Sequence, residues 1–142
     1  MIFATLKKNI VCIIKIATNV KPREICLLFI SAKTGFITNA IIHIVKEIFK
    51  LKEDKVDGLI IDLQNNGGGS MDEAVKLSGL FIDVGPIAIM SNKLGKQETI
   101  KDSNRGTIYS GPMVILINGF FFSSSEFFTN AIQDYHRAIV VG

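Results

Sequence analysis

The sequence predicts an α/β fold in which strands and helices alternate along the chain. Two apolar strands are each followed by a glycine-containing turn and the start of a helix, the first within residues 56–82 and the second within 111–135. An amphipathic helix pattern precedes the first of these units. Repeated strand-then-helix units favour crossover connections between parallel strands, which is the arrangement of α/β proteins.

The size and composition of the chain fit one domain with a substantial core. Of its 142 residues 48% are hydrophobic, yet no apolar run reaches the ~18 residues that span a bilayer. The net charge of +3 comes from scattered residues, so nucleic-acid binding is not expected. Cys12 and Cys26 have no metal-ligand spacing, and no metal site is expected.

Residues 1–24 have no clear assignment. Lys7 and Lys8 precede the apolar run Ile10 to Ile14, as in a signal peptide, but Lys15 interrupts the run and no clean cleavage site follows. A leader, native structure and an artefact of the gene model therefore stay open for this segment.

Three elements are predicted between residues 25 and 63. The apolar run Ile25 to Ile30 indicates a buried strand. Residues 38–52 form an amphipathic helix pattern, whose apolar positions at helical spacing are Ile41, Ile44, Val45 and Ile48. The run from Leu59 to Leu63 is apolar on both faces, which is typical of a strand in a parallel sheet.

A second helix and a hairpin are predicted next. Ser70 and Glu73 have the spacing of a capping box, in which each side chain accepts from the other residue's amide, and a helix should run from Met71 to about Ile82. Two short runs, Pro86 to Met90 and Gln97 to Lys101, flank a turn and predict a β-hairpin.

The last predicted elements are a strand, a helix and a strand. Val114 to Ile117 is a fully apolar run and predicts a buried strand. A helix is predicted from Ser123 to Tyr135, and Ile139 to Val141 begins a further strand. His136 follows the helix, where a solvent-facing position is expected rather than a catalytic one.

Ser123 is the candidate nucleophile. It follows a strand and a turn and begins a helix, so its hydroxyl would project at the sheet edge beside free helix amides. Ser123 and Glu126 also have capping-box spacing, in which the serine would only begin the helix. Both roles stay open from the residues alone, and Ser124 and Ser125 are the alternative nucleophiles.

The glycine turn is the candidate oxyanion site. Amide hydrolysis needs donors for the negative charge that develops on the carbonyl oxygen. Gly67, Gly68 or Gly69 could bring a backbone amide close to a substrate, with the Ser124 amide as its partner. A tight turn without a binding role is the alternative, and the spacings of phosphate-binding loops are absent from the sequence.

These motifs together resemble the catalytic core of the carboxy-terminal processing, or tail-specific, serine peptidases. The resemblance rests on residues 56–70, residues 111–126, the Gln133-Asp134-Tyr135 motif and residues 137–142. The sequence departs from the family before the serine, where two phenylalanines replace a serine and an alanine and make the local pocket more apolar.

The resemblance implies roles for individual residues. Ser123 stands three residues before Glu126 and eleven before Asp134, as the family's catalytic serine does before its glutamate and aspartate. Glu126 and Asp134 are thus expected to support the site, Asp134 by orienting neighbouring groups or by holding the end of its helix. Gly67 or Gly68 would donate to the oxyanion with Ser124.

The family's fold and chemistry give further expectations. The core would consist of stacked strand-strand-helix units, as in Clp-type peptidases and crotonases. Residues 25–142 would form part of the catalytic domain, with residues 1–24 unassigned, and the core would continue past Gly142. The family cleaves proteins near apolar carboxy termini through a serine-lysine dyad and an acyl-enzyme, without a cofactor, and its lysine would fall beyond Gly142.

The resemblance also carries expectations about location and partners. Family members usually work in the bacterial periplasm or cell envelope, on protein or peptide substrates and not on nucleic acid. Membrane association through an N-terminal or missing segment, the presence of a PDZ module and the oligomeric state stay open.

Two other functions stay open at this stage. The chain could be a non-catalytic peptide-binding scaffold that kept the fold and lost its base. It could also be a crotonase-like acyl-CoA enzyme, which uses a similar glycine turn without a nucleophilic serine, although the basic site for the adenine phosphate is not evident in the sequence. A lysine soon after Gly142 would favour the peptidase over the scaffold.

Overall fold

A computed structural model describes residues 11–16, 25–30, 40–53, 56–103 and 106–142 of the chain. Strands and helices alternate through most of these residues. In chain order the elements are β1 (Val11–Ile16), β2 (Ile25–Ile30), α1 (Ala40–Glu53), β3 (Gly58–Asp62), α2 (Met71–Gly79), β4 (Ala88–Ser91), β5 (Gln97–Ile100), β6 (Met113–Leu116), α3 (Ser124–Asp134) and β7 (Ile139–Val141).

The main sheet has five strands in the order β1-β2-β3-β6-β7. β2, β3, β6 and β7 run parallel, whereas β1 pairs antiparallel with β2. α1 connects β2 to β3 and α3 connects β6 to β7, so helices make these two crossovers. β4 and β5 form a separate antiparallel hairpin. The predicted α/β class is therefore confirmed.

Most predicted elements are found within two residues of their expected bounds. The exceptions are β1, which the sequence did not predict, and the end of α2, which comes at Gly79 rather than near Ile82. Residues 38 and 39, where the first helix was expected to begin, lie outside the described residues. The apolar run that resembled a leader overlaps β1, whose Val11 pairs with Ile30 of β2.

The start and end of α2 both differ from expectation. Ser70 occupies the N-cap position but makes no side-chain cap hydrogen bond, so the predicted capping box does not form. Glu73 is instead buried, and its Oε2 atom has no hydrogen-bond partner among the described residues. After Gly79 the amides of Phe81 and Ile82 both donate to Ser78 O at 3.0 Å, which closes the helix in a tight turn.

The core lies between the sheet and the helices. Ile61 of β3 and Ile115 of β6 are register partners at its centre, and both are fully buried. α2 and α3 pack against each other, and beside them the rings of Phe81 and Phe128 meet edge to face with centroids 6.1 Å apart. Among the helices of the described chain, none is long and apolar enough to cross a membrane.

We expect Phe128 to be a major source of stability. Its ring is 1% exposed and contacts Phe81, so Phe128→Ala should lower the free energy of unfolding by about 3–5 kcal/mol. Phe120→Ala is the matched control, because Phe120 is 69% exposed and the same truncation should cost less than ~0.5 kcal/mol. Urea unfolding of both variants checks this, and equal losses would contradict the assigned core.

Candidate active site

Ser123 lies on a strained turn between β6 and α3. Its backbone angles are φ 59° and ψ −124°, outside the regions that non-glycine residues favour. Such a conformation costs on the order of 1–3 kcal/mol and persists where neighbouring groups hold it. A sharp strand-to-helix turn of this kind is how serine hydrolases of other folds present a nucleophile.

The three consecutive serines differ in their exposure to solvent. Ser123 is exposed, whereas Ser124 and Ser125 are 3% and 7% exposed. Ser125 Oγ also donates a hydrogen bond to Asn66 Oδ1 at 2.7 Å, so its hydroxyl is engaged inside the protein. Of the three hydroxyls, that of Ser123 is therefore the accessible one.

The start of α3 uses Glu126 as a cap. Ser123 N–H donates to Glu126 Oε2 at 2.6 Å, and the two residues have the arrangement of the predicted capping box. The Ser123 side chain lies at the Glu126 backbone amide, as a capping box requires, although this contact does not meet the geometry of a cap hydrogen bond. Glu126 thus holds the Ser123 backbone at the start of α3.

Gly68 brings the glycine turn directly against the start of α3. Its φ is +86°, and a Cβ atom there would lie 2.6 Å from Phe122 O and 2.9 Å from Ser123 Cβ and Ser124 N. No side chain fits in that space, so glycine is required both for the backbone conformation and for the close approach. In the structure, the predicted glycine turn therefore lies in direct contact with Ser123, the predicted nucleophile.

The backbone amides around this contact differ in their hydrogen bonds. Gly68 N–H donates to Asn66 Oδ1 at 2.9 Å, so it is already engaged. The amides of Gly67, Gly69 and Ser124 have no partner within the described part of the chain. Ser124 N, 2.9 Å from where a Gly68 Cβ would lie, faces the glycine turn. Two elements therefore bring unpaired amide donors close to Ser123.

Three asparagines connect the glycine turn to the segment before α3. The side-chain oxygen of buried Asn66 accepts from Gly68 and Ser125, and its backbone oxygen accepts from Phe122 N–H at 3.0 Å. Nearer the surface, Asn118 Oδ1 accepts from Asn65 N–H at 3.0 Å, and Asn118 Nδ2 donates to Asn65 Oδ1 at 3.1 Å.

Sequence reasoning missed this network. The two adjacent asparagines before the glycines indicate a turn, which the structure confirms, with Asn65 at φ 60°. Their partners Asn118 and Ser125 lie 53 and 59 residues further along the chain. No local pattern contains such pairings.

Asp134 and His136 lie away from Ser123. Asp134 ends α3, eleven residues from Ser123 and about 16 Å along the helix axis at 1.5 Å per residue. It is exposed, and its carboxylate makes no hydrogen bond within the described part of the chain. His136 is exposed, as expected, and lines a cavity with Asp57 and Ser110 at the amino ends of β3 and β6. Ser123 follows the opposite, carboxyl end of β6.

Lys76 lies on the helix that follows the glycine turn, and its surroundings favour the charged ammonium form, which cannot act as a base. It donates to Asp72 Oδ2 at 2.5 Å, and this hydrogen bond and the carboxylate's charge raise the pKa of Lys76. A lysine base needs a lowered pKa so that it is neutral near pH 7. In the part of the chain that the structure describes, no lysine or histidine hydrogen-bonds to Ser123, and no cluster of side chains could hold a metal.

Residues 32–142 match the sequence profile of Peptidase family S41. The chain belongs to this family. The matched segment contains Ser123, the glycine turn and the parallel strands β3, β6 and β7, whereas β2 precedes it.

Two bacterial relatives share the segment. A tail-specific protease of Haemophilus influenzae is 40% identical over 97 residues, which are 68% of this chain and 14% of that protein. A protein of Staphylococcus epidermidis named "Probable CtpA-like serine protease" is also 40% identical over 97 residues, covering 67% of this chain and 20% of the relative. The chain therefore spans a minor part of the length of these proteins.

Solved structures show the same fold. The photosystem II D1 C-terminal processing protease superposes with a TM-score of 0.74 at 23% identity, over 89% of this chain and 32% of that one. A lipoprotein from Streptococcus agalactiae superposes with a TM-score of 0.65 at 21% identity, over 84% of this chain and 46% of its own.

The close approach of Gly68 makes a direct stability prediction. Gly68→Ala should lower the free energy of unfolding by more than ~1 kcal/mol, because its Cβ would overlap backbone atoms at a positive φ. Gly67→Ala is the control, since no atom lies within 4 Å of its added Cβ and its φ is not positive. Thermal and urea unfolding measure both, and a Gly68→Ala protein as stable as the control would contradict the contact.

Proposed function

We propose that this chain is part of the catalytic core of a tail-specific serine peptidase with Ser123 as the nucleophile. The observation that carries the proposal is the contact of the glycine turn with an exposed serine on a strained turn, beside unpaired amide donors. Membership of family S41 and 40% identity to a tail-specific protease support the reaction type.

The proposed reaction begins with attack of Ser123 Oγ on the carbonyl carbon of a peptide bond, while a base takes the proton of the Ser123 hydroxyl. The amides of Ser124 and Gly67 donate to the oxygen as it gains negative charge, and such donors stabilise the transition state because they are already oriented. Gly68 was also a candidate donor, but its amide is held by Asn66. We assign Gly68 instead the role of allowing the two elements to approach.

Collapse of the tetrahedral intermediate would expel the amine, which takes a proton from the base, and leave an acyl-enzyme on Ser123. Water then attacks the acyl carbon while the base accepts a proton from that water. When the second tetrahedral intermediate collapses, the base returns this proton to Ser123 Oγ, and the carboxylic acid product is released. We propose that a lysine in sequence following Gly142 is the base. Lys76 is the lysine nearest the glycine turn in sequence, and its raised pKa argues against a role for it as this base.

We propose two residues that support the site, one beside Ser123 and one at the far end of α3. Glu126 acts at the site by holding the Ser123 amide. Asp134, at the far end of α3, would act on the end of its helix rather than on the serine. For both we propose a structural contribution to the site without direct contact with substrate.

The remaining features of the proposed enzyme come from the family. Residues 25–142 would form part of a catalytic core of stacked strand-strand-helix units, which the parallel sheet β2-β3-β6-β7 supports. Substrates would be proteins or peptides with apolar carboxy termini, and exposed Phe120 and Phe122 beside Ser123 fit such partners. The proposed location is the bacterial periplasm or cell envelope, and the reaction would need no cofactor.

A non-catalytic peptide-binding scaffold is the alternative. It is favoured by one observation, that Ser123 has no hydrogen bond to a basic side chain within the described residues. A crotonase-like acyl-CoA enzyme gains no support from the family assignment. Measurements of turnover separate the peptidase from the scaffold.

The position of the base gives the first test. We expect the 142-residue chain to show no turnover of a fluorogenic peptide with an apolar carboxy terminus. A longer chain, extended past Gly142 with the segment that follows the match in the Haemophilus influenzae relative, should be active. Turnover by the 142-residue chain that Ser123→Ala abolishes would show that a residue within it is the base. An inactive but folded extended chain would favour the scaffold.

The nucleophile is tested by serine replacement in the extended chain. Ser123→Ala should remove essentially all turnover and lower stability by about 1 kcal/mol or less, which is the loss expected from a weakened helix cap. Ser110→Ala is the matched control, because Ser110 is exposed at the opposite edge of the sheet and should keep wild-type kcat. Full activity of Ser123→Ala would remove Ser123 from the mechanism.

A further inference from the structure

Asn66 connects the two elements that would hold a substrate carbonyl. It is 3% exposed, and its Oδ1 atom accepts from Gly68 N–H within the glycine turn and from Ser125 Oγ on α3. Its backbone oxygen accepts from Phe122 N–H, one residue before Ser123. Its own amide donates to Leu63 O at 3.1 Å, which ties it to the end of β3.

These hydrogen bonds hold the residues next to the two proposed oxyanion donors and leave the donor amides of Gly67 and Ser124 unoccupied. One acceptor, Oδ1, holds the amide of Gly68, which follows Gly67, and the hydroxyl of Ser125, which follows Ser124. The separation between the Gly67 and Ser124 amides is thus set through neighbours that share one buried oxygen atom. Hydrogen bonds to an oxyanion need donors about 2.7–3.1 Å from it, so a small change in this separation matters.

The chemistry of an amide side chain suits this position. Oδ1 can accept two hydrogen bonds while remaining neutral. An aspartate could accept the same two bonds, but its negative charge would lie next to the place where negative charge develops on the substrate. Like charges at short range in a buried site are strongly unfavourable.

We propose that Asn66, together with Ser125, is a positioning residue that sets the distance between the two oxyanion donors. The proposal rests on the function proposed above, in which Ser123 is the nucleophile. Neither Asn66 nor Ser125 contacts the substrate; both act through the backbone of the residues beside them. Ser125 therefore acts as a hydrogen-bond donor to Asn66 and not as an alternative nucleophile.

The test compares kcat, KM and unfolding for five variants of the extended chain, one of which is a control. Asn66→Ala should lower kcat by about 10–10²-fold and change KM less than ~3-fold, because the lost interaction matters mainly in the transition state. Ser125→Ala should lower kcat less, since Oδ1 keeps Gly68. The double variant should be no slower than Asn66→Ala, because both changes remove the same connection.

Asn66→Asp gives a readout that a purely structural role would not move. It keeps an acceptor of the same shape, so its kcat relative to wild type should fall as pH rises and the carboxyl group ionises. The ratio should recover toward acidic pH, where the carboxyl group is neutral. A ratio that is independent of pH would contradict the proposal.

Ser78→Ala is the matched control. Ser78 is a fully buried serine whose Oγ donates to Ala74 O at 2.8 Å within α2, so the same deletion removes a comparable bond outside the site. It should lose stability and keep kcat. A kcat for Asn66→Ala and Ser125→Ala within 3-fold of wild type, or an equal loss in Ser78→Ala, would overturn the proposal.

Two outcomes keep this inference separate from the proposed function. If Ser123→Ala is inactive while Asn66→Ala and Ser125→Ala are fully active, the peptidase assignment stands and the positioning role is wrong. If Ser123→Ala is active, the peptidase assignment itself fails. Should Asn66→Ala not fold, Ser125→Ala and the pH dependence of Asn66→Asp decide the result.

Discussion

The contact between Gly68 and the start of α3 is the constraint on which the candidate site depends. A Cβ atom at residue 68 would come within 3 Å of three atoms of residues 122–124, so the two elements touch only because this residue is glycine. β3 and β6 are paired neighbours in register, and therefore their carboxyl ends deliver the glycine turn and the serine turn to one edge of the sheet. Strand pairing brings the two turns to the same edge of the sheet, and the absence of a side chain at Gly68 allows them to come into contact.

The strain at Ser123 is balanced by specific hydrogen bonds. A non-glycine residue at φ 59° and ψ −124° costs on the order of 1–3 kcal/mol. Glu126 accepts from the Ser123 amide and Asn66 O accepts from the preceding amide, and bonds of these kinds contribute about 0.5–3 kcal/mol each. Two bonds of this size are enough to hold the turn. They leave the hydroxyl of Ser123 exposed and the amide of Ser124 unpaired, which suits a nucleophile and an oxyanion donor.

Local patterns predicted most of the fold and the identity of the serine turn. Apolar runs located the strands from β2 onward, and helical spacing located α1, because both signals lie within a few residues. The end of α2 was predicted too late, since Phe81 and Ile82 continue the apolar pattern although they form a turn and pack in the core. The Ser70 cap was wrong because capping-box spacing does not force the hydrogen bonds to form. The Asn66 connection depends on pairing across 59 residues, and the engagement of the Gly68 amide follows from it. No local pattern carries that information.

The most direct test of the account is to identify the residue that becomes covalently modified. The extended chain would be treated with a fluorophosphonate, digested and sequenced by mass spectrometry. We expect a single label on Ser123, because it is the exposed member of the triplet and lies against the glycine turn beside the unpaired Ser124 amide. A label on Ser124, on Ser125 or on any residue outside the turn, in a chain that hydrolyses peptides, would contradict the account.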